Sequence, residues 1–149
     1  MLFRSMKFSI RRSAAITATF FSGICFLPAA DATCADFLAK LKKRPAHLQF
    51  LSCKHHAGSN GDSWIAEYRV RGTYAAGVEE SLVKNFGLVR LKKSCCQWDA
   101  PAADYTQGDA HYEITMTSDE DSSSVVTTAR SDWRKLPYFH VIVQYYPPE

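Results

Sequence analysis

What the chain lacks narrows its function first. It has no Gly-x-Ser-x-Gly elbow, no His-Glu-x-x-His and no Walker loop, so the common hydrolase, zinc-peptidase and phosphate-loop signatures are absent. No Cys-x-x-Cys occurs, which removes the usual thioredoxin-like redox pair. No apolar run reaches the ~20 residues of a comfortable membrane span. There are no internal repeats, and Asp119–Ser124 is the one low-complexity stretch. At 149 residues the chain is too short for a TIM barrel or a two-domain dehydrogenase. Its 46% hydrophobic and 22% charged content excludes a disordered chain.

An excess of charge is also missing once the N-terminus is set aside. Residues 1–32 read as a secretory signal peptide. Arg4, Lys7, Arg11 and Arg12 form a basic region, Ala14 to Leu27 is apolar, and Pro28 breaks the run. Ala30-Asp31-Ala32 supplies the small residues of a cleavage site. Arg11-Arg12 is not followed by Phe-Leu-Lys, which favours the general secretory route. No lipobox precedes Cys34, so no stable membrane anchor is expected after leader removal. The leader holds four of the 18 Lys and Arg and one of the 15 Asp and Glu, leaving 14 of each sign. A neutral domain gives no electrostatic case for nucleic acid or an anionic membrane. The expected location is periplasmic or secreted, with residues 33–149 as a single domain large enough for one core.

The fold class reads as α+β. A short helix over Cys34–Lys43 places Phe37, Leu38 and Leu41 on one stripe and stops at Arg44-Pro45. His47–His55 and Trp64–Arg71 read as strands of a hairpin, the second with Trp64, Ala66, Tyr68 and Val70 on one face. The turn cluster Gly58–Asp62 suggests a loop longer than the tight hairpin types. Ala75, Val78, Leu82, Val83 and Phe86 recur at helical spacing, with Gly87 as the stop, which predicts a helix over Tyr74–Phe86. Leu88–Cys96 reads as a third strand and Pro101–Gly108 as loop. His111–Thr117 alternates as a strand, Val125–Ala129 is a further strand candidate, Ser131–Arg134 reads as a Ser-capped helical turn, and Tyr138–Tyr146 is a strongly β-prone last strand. The architecture expected is a mostly antiparallel sheet with the main and N-terminal helices on one face. The other face, carrying Glu67, Arg69, Arg71, Glu113 and Thr115, should be solvated.

An exported domain with Cys34, Cys53, Cys95 and Cys96 reads as disulfide-stabilised. Adjacent Cys95 and Cys96 are poorly placed to bond each other, so each is expected to take Cys34 or Cys53, in an order spacing does not settle. A zinc site built from Cys53, His55, His56 and the Cys95-Cys96 pair is the weaker reading, because the spacing matches no standard finger.

A resemblance rests on several segments. Cys34-Ala35-Asp36-Phe37-Leu38, Tyr74-Ala75-Ala76-Gly77-Val78-Glu79, Leu91-Lys92-Lys93-Ser94-Cys95-Cys96-Gln97-Trp98-Asp99 and Tyr138-Phe139-His140-Val141-Ile142-Val143 resemble a family of small exported bacterial proteins that is a domain of unknown function. The resemblance implies an exported single-domain protein and carries no catalytic residue.

The candidate chemistry is sparse. His55-His56 reads as a polar hairpin end, Asp119-Glu120-Asp121 lacks the ligand pattern of a calcium loop, and Glu79-Glu80 reads as a solvated helix surface. No catalytic residue, metal site or cofactor is assigned. Residues 33–149 contain seven Tyr and three Trp against four Phe. Such amphipathic rings suit partly wet surfaces, with Tyr105, Tyr138, Tyr145 and Tyr146 the best signs of recognition. The candidate partner contacts are Trp98, Asp99, Tyr105, Arg69 and Arg71. The functional expectation is a binding module with an unidentified protein partner, such as an immunity protein or inhibitor. The alternative is a carrier or enzyme with a pocket between the second helix and the sheet, near His140, His111 or Glu67.

Overall fold

Alternation with a period of two builds the sheet. The computed structural model describes residues 33–58, 61–119 and 127–148. The signal-peptide reading therefore falls outside the described residues. These residues lie in one unit, Ala32–Glu149. Its elements are helix α1 (Phe37–Lys40), strands β1 (Gln49–Gly58) and β2 (Gly61–Arg71), helix α2 (Gly72–Phe86), strands β3 (Lys92–Ser94), β4 (Gln97–Asp99), β5 (Ala103–Gln107) and β6 (Ala110–Ser118), a 3-10 helix (Arg130–Lys135) and strand β7 (Tyr138–Tyr146). The main sheet runs β1-β2-β7-β6-β5, and every neighbouring pair is antiparallel. The expected α+β class with a mostly antiparallel sheet is the class observed.

One face of the sheet makes the core. Ala66, Tyr68 and Val70 of β2, Phe139, Val141 and Val143 of β7, and Tyr112, Ile114 and Met116 of β6 all point inward and are buried. Ala75, Val78, Leu82 and Phe86 of α2 and Phe37 and Leu38 of α1 join the same apolar cluster. α2 ends as its sequence predicts, with Gly87 at φ 75° and its N–H on Val83 O at 3.1 Å. Among the described residues, no helix is long and apolar enough to cross a membrane.

Several boundaries differ from the sequence reading, each for a physical reason. α1 is shorter because Lys42 turns left-handed (φ 55°) and Lys43 N–H bonds back to Leu38 O at 3.0 Å. The first hairpin stays paired out to Gly58 opposite Gly61, so two residues, not a long loop, separate its strands. Only Lys92–Ser94 of the expected third strand is a strand. Leu88 and Leu91 are buried, and the backbone groups of Leu91 bond to side chains instead of a ladder: its N–H donates to Glu79 Oε1 at 2.6 Å, and its carbonyl accepts from Arg130 at 2.7 Å. The segment read as loop contains β5, which turns into β6 through Gly108 at φ 61°. Val125 and Val126 lie outside the described residues, and Thr127–Ala129 is not a strand. The 3-10 helix is not capped by Ser131; the Asp132 carboxylate accepts the Ala129 N–H at 3.4 Å.

The cysteine pairing also differs. Cys34 and Cys53 bond each other, with their Cα atoms 5.4 Å apart. Cys34 stands just before α1, which packs under the sheet, and Cys53 sits opposite Ala66 on β1, so the fold brings them together. Neither Cys95 nor Cys96 takes these partners. Both are exposed on the two-residue turn between β3 and β4, where Cys95 has φ 48°. Cys53→Ala is therefore expected to cost about 3 kcal/mol in urea unfolding, from the chain entropy its loop returns to the unfolded state. Cys95→Ser should shift stability by less than about 0.5 kcal/mol. A larger loss for Cys95→Ser would contradict this pairing.

Tyr68 ties the first helix to the sheet. Its hydroxyl donates to Asp36 Oδ1 at 3.1 Å and accepts the Leu38 N–H at 3.2 Å, while Asp36 also caps α1 through the Ala39 N–H. Burial, then the Asp36 carboxylate, pushes the Tyr68 phenol well above its ordinary 10.0. The folded state thus holds this proton more tightly than the unfolded state. Above pH 10 the unfolded chain releases it first, and stability falls as pH rises. Urea midpoints measured between about pH 9 and 11 should decline, and Tyr68→Phe should flatten that decline. It will not abolish it, because burial raises Tyr112 and Tyr146 as well. An unchanged slope in Tyr68→Phe would remove Tyr68 as its source.

Candidate functional site

The five candidate contact residues do not gather in one place. Trp98 is 7% exposed; its ring lies edge-on to Trp133 at 5.3 Å, and its indole N–H donates to Thr127 Oγ1 at 2.7 Å. It is a core residue with little surface left for a partner. Asp99, next along β4, is half-buried and accepts a bond from Gln97 at 3.0 Å. Tyr105 packs on Phe86, and its hydroxyl accepts from Lys43 at 2.8 Å, so both its ring and its polar tip are engaged. Glu79, read as a solvated helix residue, is fully buried against Arg130.

Arg69 and Arg71 are the two that meet. They lie at the end of β2 that feeds α2, on the outer face of the sheet. Arg69 stands opposite Gln49 on β1, and Arg71 stands opposite Tyr138 on β7. Together with His47 and Tyr74 these residues line an open cleft of about 400 Å³. Each wall is fixed locally. Arg69 Nε donates to Gln49 Oε1 at 3.0 Å, and its guanidinium lies 4.7 Å from the centre of the Tyr138 ring. His47, held at φ 64°, stacks on Tyr74 with the rings 3.9 Å apart and 8° from parallel. The Arg71 side chain makes no hydrogen bond or ion pair to any described residue. Arg71 and Tyr138 also border a second opening with Thr73, Arg134, Leu136 and Pro137, which adds a third guanidinium at the rim.

The electrostatics follow from the inventory. The cleft is lined by two guanidiniums, an imidazole, an amide and two phenols, with no carboxylate among the described residues of its lining. The N-terminus of α2 begins at its edge, with Arg71 as N-cap, no side chain capping the turn and no acidic residue in it. Guanidiniums present planar forks that match carboxylates bidentately, and the aromatic walls suit a flat or apolar attachment. This is an anion-binding chemistry. Among the described residues, Asp104, His111 and Glu113, groups of the type that can ligate a metal, gather elsewhere, on β5 and β6.

His47, Gln49 and Tyr74 escaped the sequence reading. His47 sits in a turn, Gln49 opens a strand, and Tyr74 belongs to a helix whose apolar stripe lies elsewhere. Tyr74 is 44% exposed, and the sequence signal for it was an aromatic ring off the apolar stripe of its helix. Among the described residues, neither cleft at Arg71 is lined by His140, His111 or Glu67. His140 lies 3.5 Å from Asp119, His111 lies 3.5 Å from Asp104, and Glu67 accepts from Ser52 and Lys54. Buried apolar residues of α2 and of the sheet belong to one core cluster.

Comparison with known proteins gives a family match over part of the chain and no activity. Residues 26–98 match a family described as a domain of unknown function, DUF4952. The matched span includes His47, Gln49, Arg69, Arg71 and Tyr74 and ends before β5, β6 and β7. No curated protein and no solved structure matches the chain significantly.

Proposed function

We propose that the protein is an exported, periplasmic binding module that grips an acidic segment of a partner protein in the arginine cleft, with an immunity protein or inhibitor as its specific form. The observation that carries this reading is the cleft itself: Arg69 and Arg71 with His47, Tyr74 and Tyr138, and no carboxylate among the described residues of the lining. The leader-like residues 1–32 support export, and the neutral balance of residues 33–149 argues against a general polyanion partner. His47 is engaged in stacking on Tyr74, which suits it to a wall of a binding cleft.

The test is capture of a partner by the protein made in the periplasm, followed by calorimetry with the partner found. The double charge reversal Arg69→Glu with Arg71→Glu is expected to weaken binding by at least about 30-fold, the scale of losing a paired interfacial charge. Arg71→Glu alone should leave the melting temperature unchanged, because the Arg71 side chain supports no bond to a described residue. Undiminished affinity in the double variant would move the contact off this face. A bound small molecule in place of a protein would favour the carrier or enzyme reading instead.

A further inference from the structure

The edge strand β5 and its neighbour β6 carry a second cluster, at the opposite edge of the sheet from the β1 strand that flanks the cleft. Asp104 stands directly opposite Glu113, and His111 stands opposite Thr106, two residues along. All three side chains point to the outer face, since Tyr105, Tyr112 and Ile114 point inward. One ligand atom from each of Asp104, His111 and Glu113 lies within 4.8 Å of the other two.

Two features of this cluster favour a cation. Directly opposed carboxylates on neighbouring strands repel each other. Neither Asp104 nor Glu113 has a Lys or Arg within ion-pair distance among the described residues; His111 is the basic group at hand, with its Nε2 3.5 Å from Asp104 Oδ1. That separation is close to the ~3.4 Å between two ligand atoms set tetrahedrally about a metal at ordinary zinc distances. The surroundings orient the set. Tyr146, opposite His111 on β7, packs its ring 5.4 Å from the imidazole and donates its hydroxyl to Glu113 Oε2 at 3.3 Å. Such outer hydrogen bonds to ligating carboxylates are the usual support of a metal site.

We infer that Asp104, His111 and Glu113 form a surface site for a divalent transition-metal ion of the zinc class. One imidazole nitrogen and two carboxylates suit such an ion, whereas calcium takes six to eight oxygens and would find too few here. Asp104 is the most exposed of the three, with its side chain 74% accessible, and so free to rotate toward the ion. Three protein ligands leave a solvent-facing position open.

Zinc chloride titrated into the purified protein by calorimetry tests the assignment, with the histidine ring signals followed by NMR. The expected result is one zinc ion per chain, a shift of the His111 ring signals, and at least about tenfold weaker binding in His111→Ala, in Glu113→Gln and in Asp104→Asn. The Gln and Asn variants keep side-chain size and strand pairing, so they answer the question even if His111→Ala folds poorly. Tyr146→Phe should weaken binding while still allowing it. No saturable binding overturns the site. Binding that is unchanged in these variants, or lost instead with Cys95→Ser, also overturns it and places zinc elsewhere.

Discussion

Replacing Glu79 with alanine is expected to destabilise the protein by about 3–5 kcal/mol, a large share of a marginal total. The Glu79 side chain is 1% exposed. It accepts two bonds from Arg130, at 2.5 and 2.8 Å, and one from the Leu91 N–H at 2.6 Å, with Arg90 at 3.5 Å. Arg130 in turn donates to Leu91 O and lies 4.6 Å over the Trp133 ring. This one carboxylate thus joins α2, the segment after it and the 3-10 helix. Removing it orphans a buried backbone N–H and half of a guanidinium network. Arg130 is 38% exposed and can turn to water, so the loss should sit toward the lower end of the range. Glu79 has no such escape, and Arg130→Ala should cost at least as much. Glu79→Gln keeps an acceptor for Leu91 and should lose about half as much. Replacing both Glu79 and Arg130 with methionine should recover most of the loss, because the desolvation cost goes with the charges. Urea unfolding with an unchanged m-value measures all four. A loss below about 1 kcal/mol for Glu79→Ala would mean that the pair contributes little to stability.

Gly72→Ala is the second large effect, expected at about 3 kcal/mol in the same assay. A Cβ on Gly72 would stand 1.9 Å from Trp133 O and 2.5 Å from Leu136 O. Both are backbone atoms, so no side chain can swing aside; the 3-10 helix itself must move off α2. Arg71 and Tyr138 flank this contact, so the substitution should also disturb the cleft and the near-ultraviolet signal of the buried Trp133. Gly77→Ala is the control. It lies mid-helix with nothing within 4 Å of its Cβ position, and should stabilise by about 0.5–1 kcal/mol. Equal behaviour of the two variants would mean that the close approach at Gly72 is not what holds that glycine in place.

The sheet was legible where local period and burial agreed. Trp64–Arg71, His111–Thr117 and Tyr138–Tyr146 alternate, and each is a strand of the main sheet. α2 was legible because its apolar stripe and its stop at Gly87 point the same way. β5 was hidden because Pro101 and Gly108 bracket it and suggest a loop. Leu88–Leu91 looked like a strand because its side chains are apolar. Its polar backbone is instead taken by Glu79 and Arg130, one 12 and the other 39 residues away from Leu91. That choice cannot be made from the segment alone. Glu79 was misread for the same reason: its partner lies 51 residues later.

The candidate site divides in the same way. Arg69 and Arg71 could be chosen from their place on the polar face of a strand. His47, Gln49, Tyr74 and Tyr138 could not be joined to them, because their nearness is made by strand pairing and the turn into α2. By itself, the sequence determined the α+β class, the main helix and the inward and outward faces of the principal strands, since these follow from periodicity within a few residues. Only the tertiary structure decided the Cys34–Cys53 bond, the burial of Glu79 and Trp98, the cleft, and the Asp104–His111–Glu113 cluster. Each of these depends on which distant segments become neighbours, and that is settled by the packing of the whole core.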